Sequence, residues 1–308
     1  MNRLLKPLDQ IGPFQNYTLV RPIDSFSQRW EVKSESGQIY HARPFSIPLP
    51  TGFDFDRLER EQTRLIKECQ RWKDVFLGRP SWVDAFCEGQ TFYWIEKPIM
   101  GAPLSSIEHP LTLAEGLYLT EEILHLLDEI HACRDFKSDE SLLHLNLHPS
   151  TIWRSKEGHI LLMDPLLPTL IELRSKYQLQ KVDELDGQNA PELSRGRWGD
   201  PSDLYGVGMS ILSAMSGLKV KSVDQRLQSD RFFTHDVSVP EEVQAFFEKL
   251  TAFRASHRFE NTVQALEALY ALPIQFRYIE VSADSFEAHR TSSPPSSAPH
   301  FDVEALIS

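Results

Sequence analysis

LLHLNLHPSTIWRSKEGHILLMDPL, residues 142–166, is the stretch on which the rest of the chain is hung. Leu142-Leu143 leads into His144-Leu145-Asn146-Leu147-His148-Pro149, then Ser150-Thr151-Ile152-Trp153. Lys156-Glu157-Gly158-His159 supplies a turn, and Ile160-Leu161-Leu162-Met163 returns to Asp164-Pro165-Leu166. A glycine after a charged pair, flanked by β-branched and apolar residues, predicts a hairpin between two strand-like runs.

Around this stretch the chain has an ordinary globular composition, and its 308 residues suit one large domain or two smaller ones. A net charge of −12 argues against a nucleic-acid partner, because phosphate binding needs clustered Lys and Arg, and it disfavours an anionic membrane. Cys69, Cys87 and Cys133 are odd in number and widely spaced, so they suggest small buried residues in a reducing compartment, with no disulfide framework or zinc knuckle. The opening residues lack the apolar core of a secretory signal, and no run approaches the ~18 apolar residues of a membrane span. The expected location is the cytoplasm.

Residues 1–15, punctuated by prolines, read as a loosely docked arm. Residues 17–20, 29–33 and 38–43 alternate as strands, with Trp30 and Val32 facing one way. A helix is predicted over 56–73, where Leu58, Leu65, Ile66, Cys69 and Trp72 share a face. Residues 83–87 and 91–95 make a hairpin. After Gly101 the pattern turns helical, over 111–131, 203–215, 240–253 and 261–271, with an edge strand at 274–281. Residues 168–189 show no clean period. From 283 onward Ser and Pro dominate, and that tail is expected to be disordered.

The chain resembles the protein kinases, in style closest to bacterial serine/threonine kinases, on landmarks that occur in order. Residues 144–151 are similar to the catalytic loop H-R-D-L-K-P-x-x-N, and Asp164 to the aspartate of D-F-G. Residues 37–43 (GQIYHAR) resemble the strand that carries the family's lysine, and 92–104 (FYWIEKPIMGAPL) the strand and hinge. Residues 189–193 are similar to the A-P-E motif, 202–208 to the helix that starts S-D-V-W, and His257-Arg258-Phe259 to the late arginine turn. The resemblance covers residues 16–272. It implies an α+β bilobal fold, with a small antiparallel β-sheet lobe carrying one helix and a larger, mainly helical lobe. It divides the chain into an arm (1–15), a small lobe (16–101), a large lobe (102–282) and a Ser/Pro-rich tail (283–308). It gives structural roles to His144, Glu192, Asp203 and Arg258, and pairs Glu192 with Arg258.

Function turns on the departures. A kinase needs a group to take the hydroxyl proton, a metal clamp and a phosphate cradle. The base position holds Asn146, whose amide has no usable proton affinity. Thr151 stands for the second metal ligand, His148 for the catalytic-loop lysine and Leu145 for the loop's arginine. No glycine occurs between Pro13 and Ser36, where the family's phosphate loop lies. Arg43 replaces the strand lysine, an exchange that keeps charge but not geometry. Its partner on the following helix would be Glu59, Glu61 or Gln62. Glu96 falls near the back of the adenine pocket, and Asp164 alone is intact, a weak lone metal site. His144, His148 and His159 could suggest zinc, but in a loop and hairpin the spacing of His144 and His148 loses its helical meaning, and packing is the better reading. The expectation is a pseudokinase with no cofactor, ATP and Mg²⁺ binding being weak or absent. It would act as a scaffold or allosteric regulator for another protein, such as an active kinase or an assembly complex. The alternatives are a divergent active serine/threonine kinase or a nucleotide sensor without turnover.

Overall fold

The computed structural model describes residues 5–23, 29–47, 55–72, 82–134, 141–176, 190–229 and 231–276. The expected Ser/Pro tail lies outside these, as do residues 277–281 of the expected edge strand.

The first lobe is a six-stranded antiparallel sheet of β1 (Gln10–Ile11), β2 (Tyr17–Pro22), β3 (Trp30–Ser34), β4 (Ile39–Ser46), β5 (Trp82–Glu88) and β6 (Thr91–Glu96), in the order β1-β2-β3-β4-β6-β5. Alternation sorts its side chains to two faces. Leu19, Val32, Ala42 and Ile95 lie in register on one face and are buried together. Phe45, Phe92 and Trp94 occupy the other, against Leu58, Leu65 and Cys69 of helix α1 (Phe55–Arg71). The sheet curls until its ends meet. The Tyr17 ring stacks on Phe86 at 6.0 Å, and the Gly12 amide donates to Glu88 at 2.6 Å. The arm is therefore not loose across residues 10–11: β1 pairs with β2, and Ile11 is 1% exposed. Gly12 turns at φ 102, and a Cβ there would lie 2.1 Å from Asn16 Oδ1, so only glycine makes this corner.

The second lobe is helical. Helix α2 (Leu113–Ala132) begins with a capping box, in which Thr112 and Glu115 satisfy each other's first-turn amides. Helix α3 (Pro168–Lys176) forms in the stretch that shows no sequence period, because Leu167, Leu170, Ile171 and Leu173 are drawn into the core. Helix α4 (Asp200–Ser216) runs through the middle with almost every residue from Ser202 to Met215 buried. Helices α5 (Val220–Leu227), α6 (Glu241–Leu250) and α7 (Thr262–Tyr270) surround it. A three-stranded sheet, β7 (Gly101–Pro103), β8 (Ile152–Ser155) and β9 (Ile160–Leu162), lies under the cleft between the lobes.

Two expectations fail locally. Residues 142–151 are loop rather than strand, because their amides are taken by side chains and turns before β8 begins. Ile274–Phe276 is a turn of 3-10 helix, not an edge strand. Among the described residues no helix is long and apolar enough to cross a membrane.

Candidate functional site

The loop 142–151 is shaped from below by α4. Buried Asp203 accepts the main-chain amides of His144 (2.8 Å) and Leu145 (2.6 Å) and meets His131 Nε2 at 3.0 Å. This holds Leu145 in the left-handed region at φ 58, uncommon for a branched side chain. Burial alone would raise the Asp203 carboxyl, but His131 and the loop amides hold it below the usual range. Burial would lower His131, and the bond to Asp203 holds it above its ordinary value. Helix α4 comes this close because residue 206 is glycine: a Cβ would lie 2.8 Å from Leu147 Cβ. His144 is fully buried, edge-on to Trp72 at 6.2 Å, and its carbonyl accepts the Leu166 amide.

A second anchor lies beneath. Arg258 grips Glu192 with both terminal nitrogens (2.7 and 3.0 Å) and donates to the carbonyls of Ala252, Pro201 and Phe253. Its guanidinium also lies 4.6 Å from the centre of the Tyr205 ring. The four residues given structural roles thus all sit in this framework.

The cleft above is a different matter. Asn146 donates its amide to the Asp164 carbonyl at 2.7 Å, so it ties the two ends of the stretch together. The Thr151 hydroxyl donates to the Asn146 carbonyl (2.6 Å) and accepts the His148 amide (3.0 Å), spending itself on the loop. His148 is pushed down to about 4, by burial first and with Arg43 adding to it. It is neutral at pH 7 and supplies no charge in place of a lysine.

Asp164 occupies the left-handed region at φ 61, which aims its carboxylate at the small lobe. There it meets two arginines. Arg43 on β4 reaches Oδ1 at 2.8 Å, and Arg29, just ahead of β3, bonds the same oxygen. Arg29 is 2% exposed, also lies 3.5 Å from Glu96, and stacks over the Trp153 ring at 5.8 Å. Burial would raise the Asp164 carboxyl, yet Arg29 and Arg43 hold it below its usual value. The space left between Arg43, Phe45, Trp94, Glu96, Asp164 and Pro165 is about 10 Å³, on the scale of one water.

The expected helix partner of Arg43 is corrected. Gln62 donates to the Gly89 carbonyl, Glu61 pairs with Arg64, and Glu59 is exposed. Helix α1 turns Glu68 toward the large lobe instead, where it accepts the Thr169 hydroxyl (2.5 Å) and amide (3.2 Å) at the start of α3. Arg64 adds a bond to Glu172 at 2.6 Å. Burial raises the Glu68 carboxyl despite these bonds. Sequence reasoning missed Arg29. The signal was present in the alternation: if Trp30 and Val32 face the barrel interior, Arg29 and Glu31 face the cleft with His41 and Arg43.

No protein-family profile and no curated protein matches this sequence. Solved structures do. A double-mutant form of the Mycobacterium tuberculosis PknI kinase domain superposes with a TM-score of 0.61 at 16% identity, over 87% of this chain and 98% of that one. The same kinase domain without these substitutions gives 0.57 at 15% identity, over 87% and 99%. The apo form of PpkA-294 gives 0.60 at 14% identity, over 86% and 99%. At such identities the likeness is one of fold. The chain has the bilobal protein kinase-like α+β fold that its landmarks imply.

Proposed function

We propose that this kinase-fold chain is a pseudokinase, which binds other proteins as a scaffold or allosteric regulator and transfers no phosphate. The observation that carries the reading is the cleft closed by its own charges. Asp164, the one intact catalytic-type residue, has its Oδ1 committed to Arg29 and Arg43, whose positive charges disfavour a metal ion beside it. The residues around it do not suit a magnesium nucleotide. Thr151 is spent on backbone groups, Asn146 cannot take a proton, and neutral His148 cannot neutralise a phosphate. Bulky Arg29 comes from the region where the family's glycines let main-chain amides approach phosphates.

Without nucleotide to bring the lobes together, the protein's own ion pairs hold them in one relation. A fixed relation between two lobes is what a scaffold offers a partner. A thermal-shift titration with ATP or ADP and Mg²⁺ or Mn²⁺ tests the reading, because a ligand of the folded state raises stability by mass action. The expected result is no shift at millimolar nucleotide. Phosphate incorporation by the purified chain that disappears in Asp164→Ala would instead establish a divergent active kinase.

A further inference from the structure

Helix α7 lies alongside α2, and the turn Ile274–Phe276 also packs on α2. Thr262 donates its hydroxyl to Asp128 at 2.6 Å, and the Tyr270 hydroxyl meets His125 Nε2 at 2.8 Å, so the outer edges of the two helices are tied together. Tyr118, Glu122, His125 and Glu129 share one face of α2, at spacings of four, three and four residues. Val263, Glu267 and Tyr270 share one face of α7, and Ile274 follows just beyond its end.

The surface so formed is apolar at its centre. Tyr118, Val263, Tyr270 and Ile274 are 51%, 50%, 43% and 63% exposed. Apolar side chains scattered singly over a surface need no explanation, but a group of them rimmed by charge marks a contact surface. The rim here has one sign, because neither helix contains a Lys or an Arg. Glu115 is spent on the capping box and Asp128 on Thr262. Among the described residues, Glu122, Glu129 and Glu267 form no hydrogen bond or ion pair through their side chains.

Charge decides the occupant. A second copy would bring the same carboxylates against this surface, from a chain of net charge −12. The chain's own residues 277–308 hold five carboxylates against two arginines, again the wrong sign. Like charges set against each other in an interface are costly. We infer that the α2–α7 surface docks a basic, amphipathic helix of another protein. The apolar stripe of that helix would lie on Tyr118, Tyr270 and Ile274, and its lysines and arginines would meet Glu122, Glu129 and Glu267. Tyr118 to Glu129 spans about 16 Å at the rise of an α-helix, so about three turns of partner cover it. None of these residues belongs to the cleft, so the inference holds whether or not nucleotide binds there, and it gives the scaffold a partner chemistry.

The test uses the full chain and fluorescence anisotropy, with a labelled peptide of about four helical turns that carries Leu on one stripe and Lys on the rest. The controls are a scrambled peptide of the same composition and a twin with Glu in place of Lys. The patterned peptide is expected to bind, and both controls to bind at least about tenfold more weakly. Glu129→Lys with Glu267→Lys should weaken binding about tenfold, and Ile274→Asp about fivefold, with an unchanged melting temperature because all three side chains are exposed. Glu35→Lys with Glu157→Lys makes the same change in net charge at exposed sites elsewhere and should leave binding within about twofold. Equal binding of the patterned and scrambled peptides, or equal losses in the two charge-reversed pairs, overturns the inference. So does tighter binding of a synthetic peptide of residues 277–308, which would assign the surface to that segment. Self-association of the chain that Ile274→Asp abolishes would assign it to a second copy and overturn the inference as well. A nucleotide-induced thermal shift would sink the cleft reading and leave this one standing.

Discussion

Arg258 and Arg29 are both buried arginines that grip carboxylates, yet their surroundings differ in kind. Arg258 lies within one lobe. It meets Glu192 in a two-pronged contact and gives its remaining N–H groups to three carbonyls, so its charge and donors are satisfied by residues that never separate. Arg29 bridges two lobes. It shares one oxygen of Asp164 with Arg43 and leans toward Glu96, so four buried charges balance only while the lobes stay together. A buried pair inside one packing unit fixes the shape of that unit. A buried cluster between two units fixes their relation, and water can reach it if they part.

This comparison can be broken in several ways, beginning with the largest effect. Arg258→Ala leaves Glu192 without its partner and several carbonyls without donors, and should cost about 3–5 kcal/mol in denaturant unfolding. A loss near zero would mean that the large-lobe anchor is dispensable. Asp164→Ala should cost less, roughly 1–3 kcal/mol, because the stranded arginines can be rehydrated when the lobes part. If it costs as much as Arg258→Ala, the cleft is as closed a unit as the large lobe. Arg29→Ala should make the cleft accessible, seen as faster amide exchange in β3 and β4 and as a first nucleotide-dependent thermal shift. An unchanged exchange pattern would show that Arg29 is not what shuts the cleft.

Acid and base should both weaken the anchor in α4, each through a different partner of the pair. Asp203 is held below its ordinary value, so its contribution is present above the unfolded carboxylate range and fades as pH falls below about 4. His131 is held above its ordinary value, so its contribution is complete below about pH 6.5 and fades as pH rises through the folded value. Denaturant midpoints against pH should therefore fall on both sides, and His131→Phe should abolish the alkaline fall and lessen the acid one, because His131 is among the groups that hold Asp203 down. The smallest effect belongs to Arg64→Ala. Arg64 and Glu172 are 46% and 45% exposed, so loss of their pair should cost under about 1 kcal/mol. A larger loss would mean that the contact of α1 with α3 is cooperative with the cleft.

Much of this could be read in the chain. The hairpin at 152–162, the helix bearing Leu58, Leu65, Cys69 and Trp72, and the pairing of Glu192 with Arg258 all stand where the order of landmarks puts them. Helix α3 could not be read, since Thr169, Leu170, Ile171 and Leu173 are all buried around the exposed Glu172, a spacing that gives no helical period. The partner of α1 could not be read either. Choosing among Glu59, Glu61 and Gln62 required the rotation of that helix about its axis, and its rotation is set by Thr169 and Glu172, a hundred residues on.

What the sequence determined by itself was which groups exist: an amide at 146, a threonine at 151, an arginine at 43, one aspartate at 164, and two lobes of opposite character. Those are facts of residue type and local period, and no packing changes them. What the tertiary structure alone decided was which charges meet. Arg29 and Asp164 stand 135 residues apart, in strands and turns whose local patterns carry no mark of each other. Their contact follows from a left-handed turn at Asp164, the alternation of β3 and the docking of one lobe on the other. Only when these combine does the empty-looking list of catalytic departures become a cleft filled by the protein's own side chains.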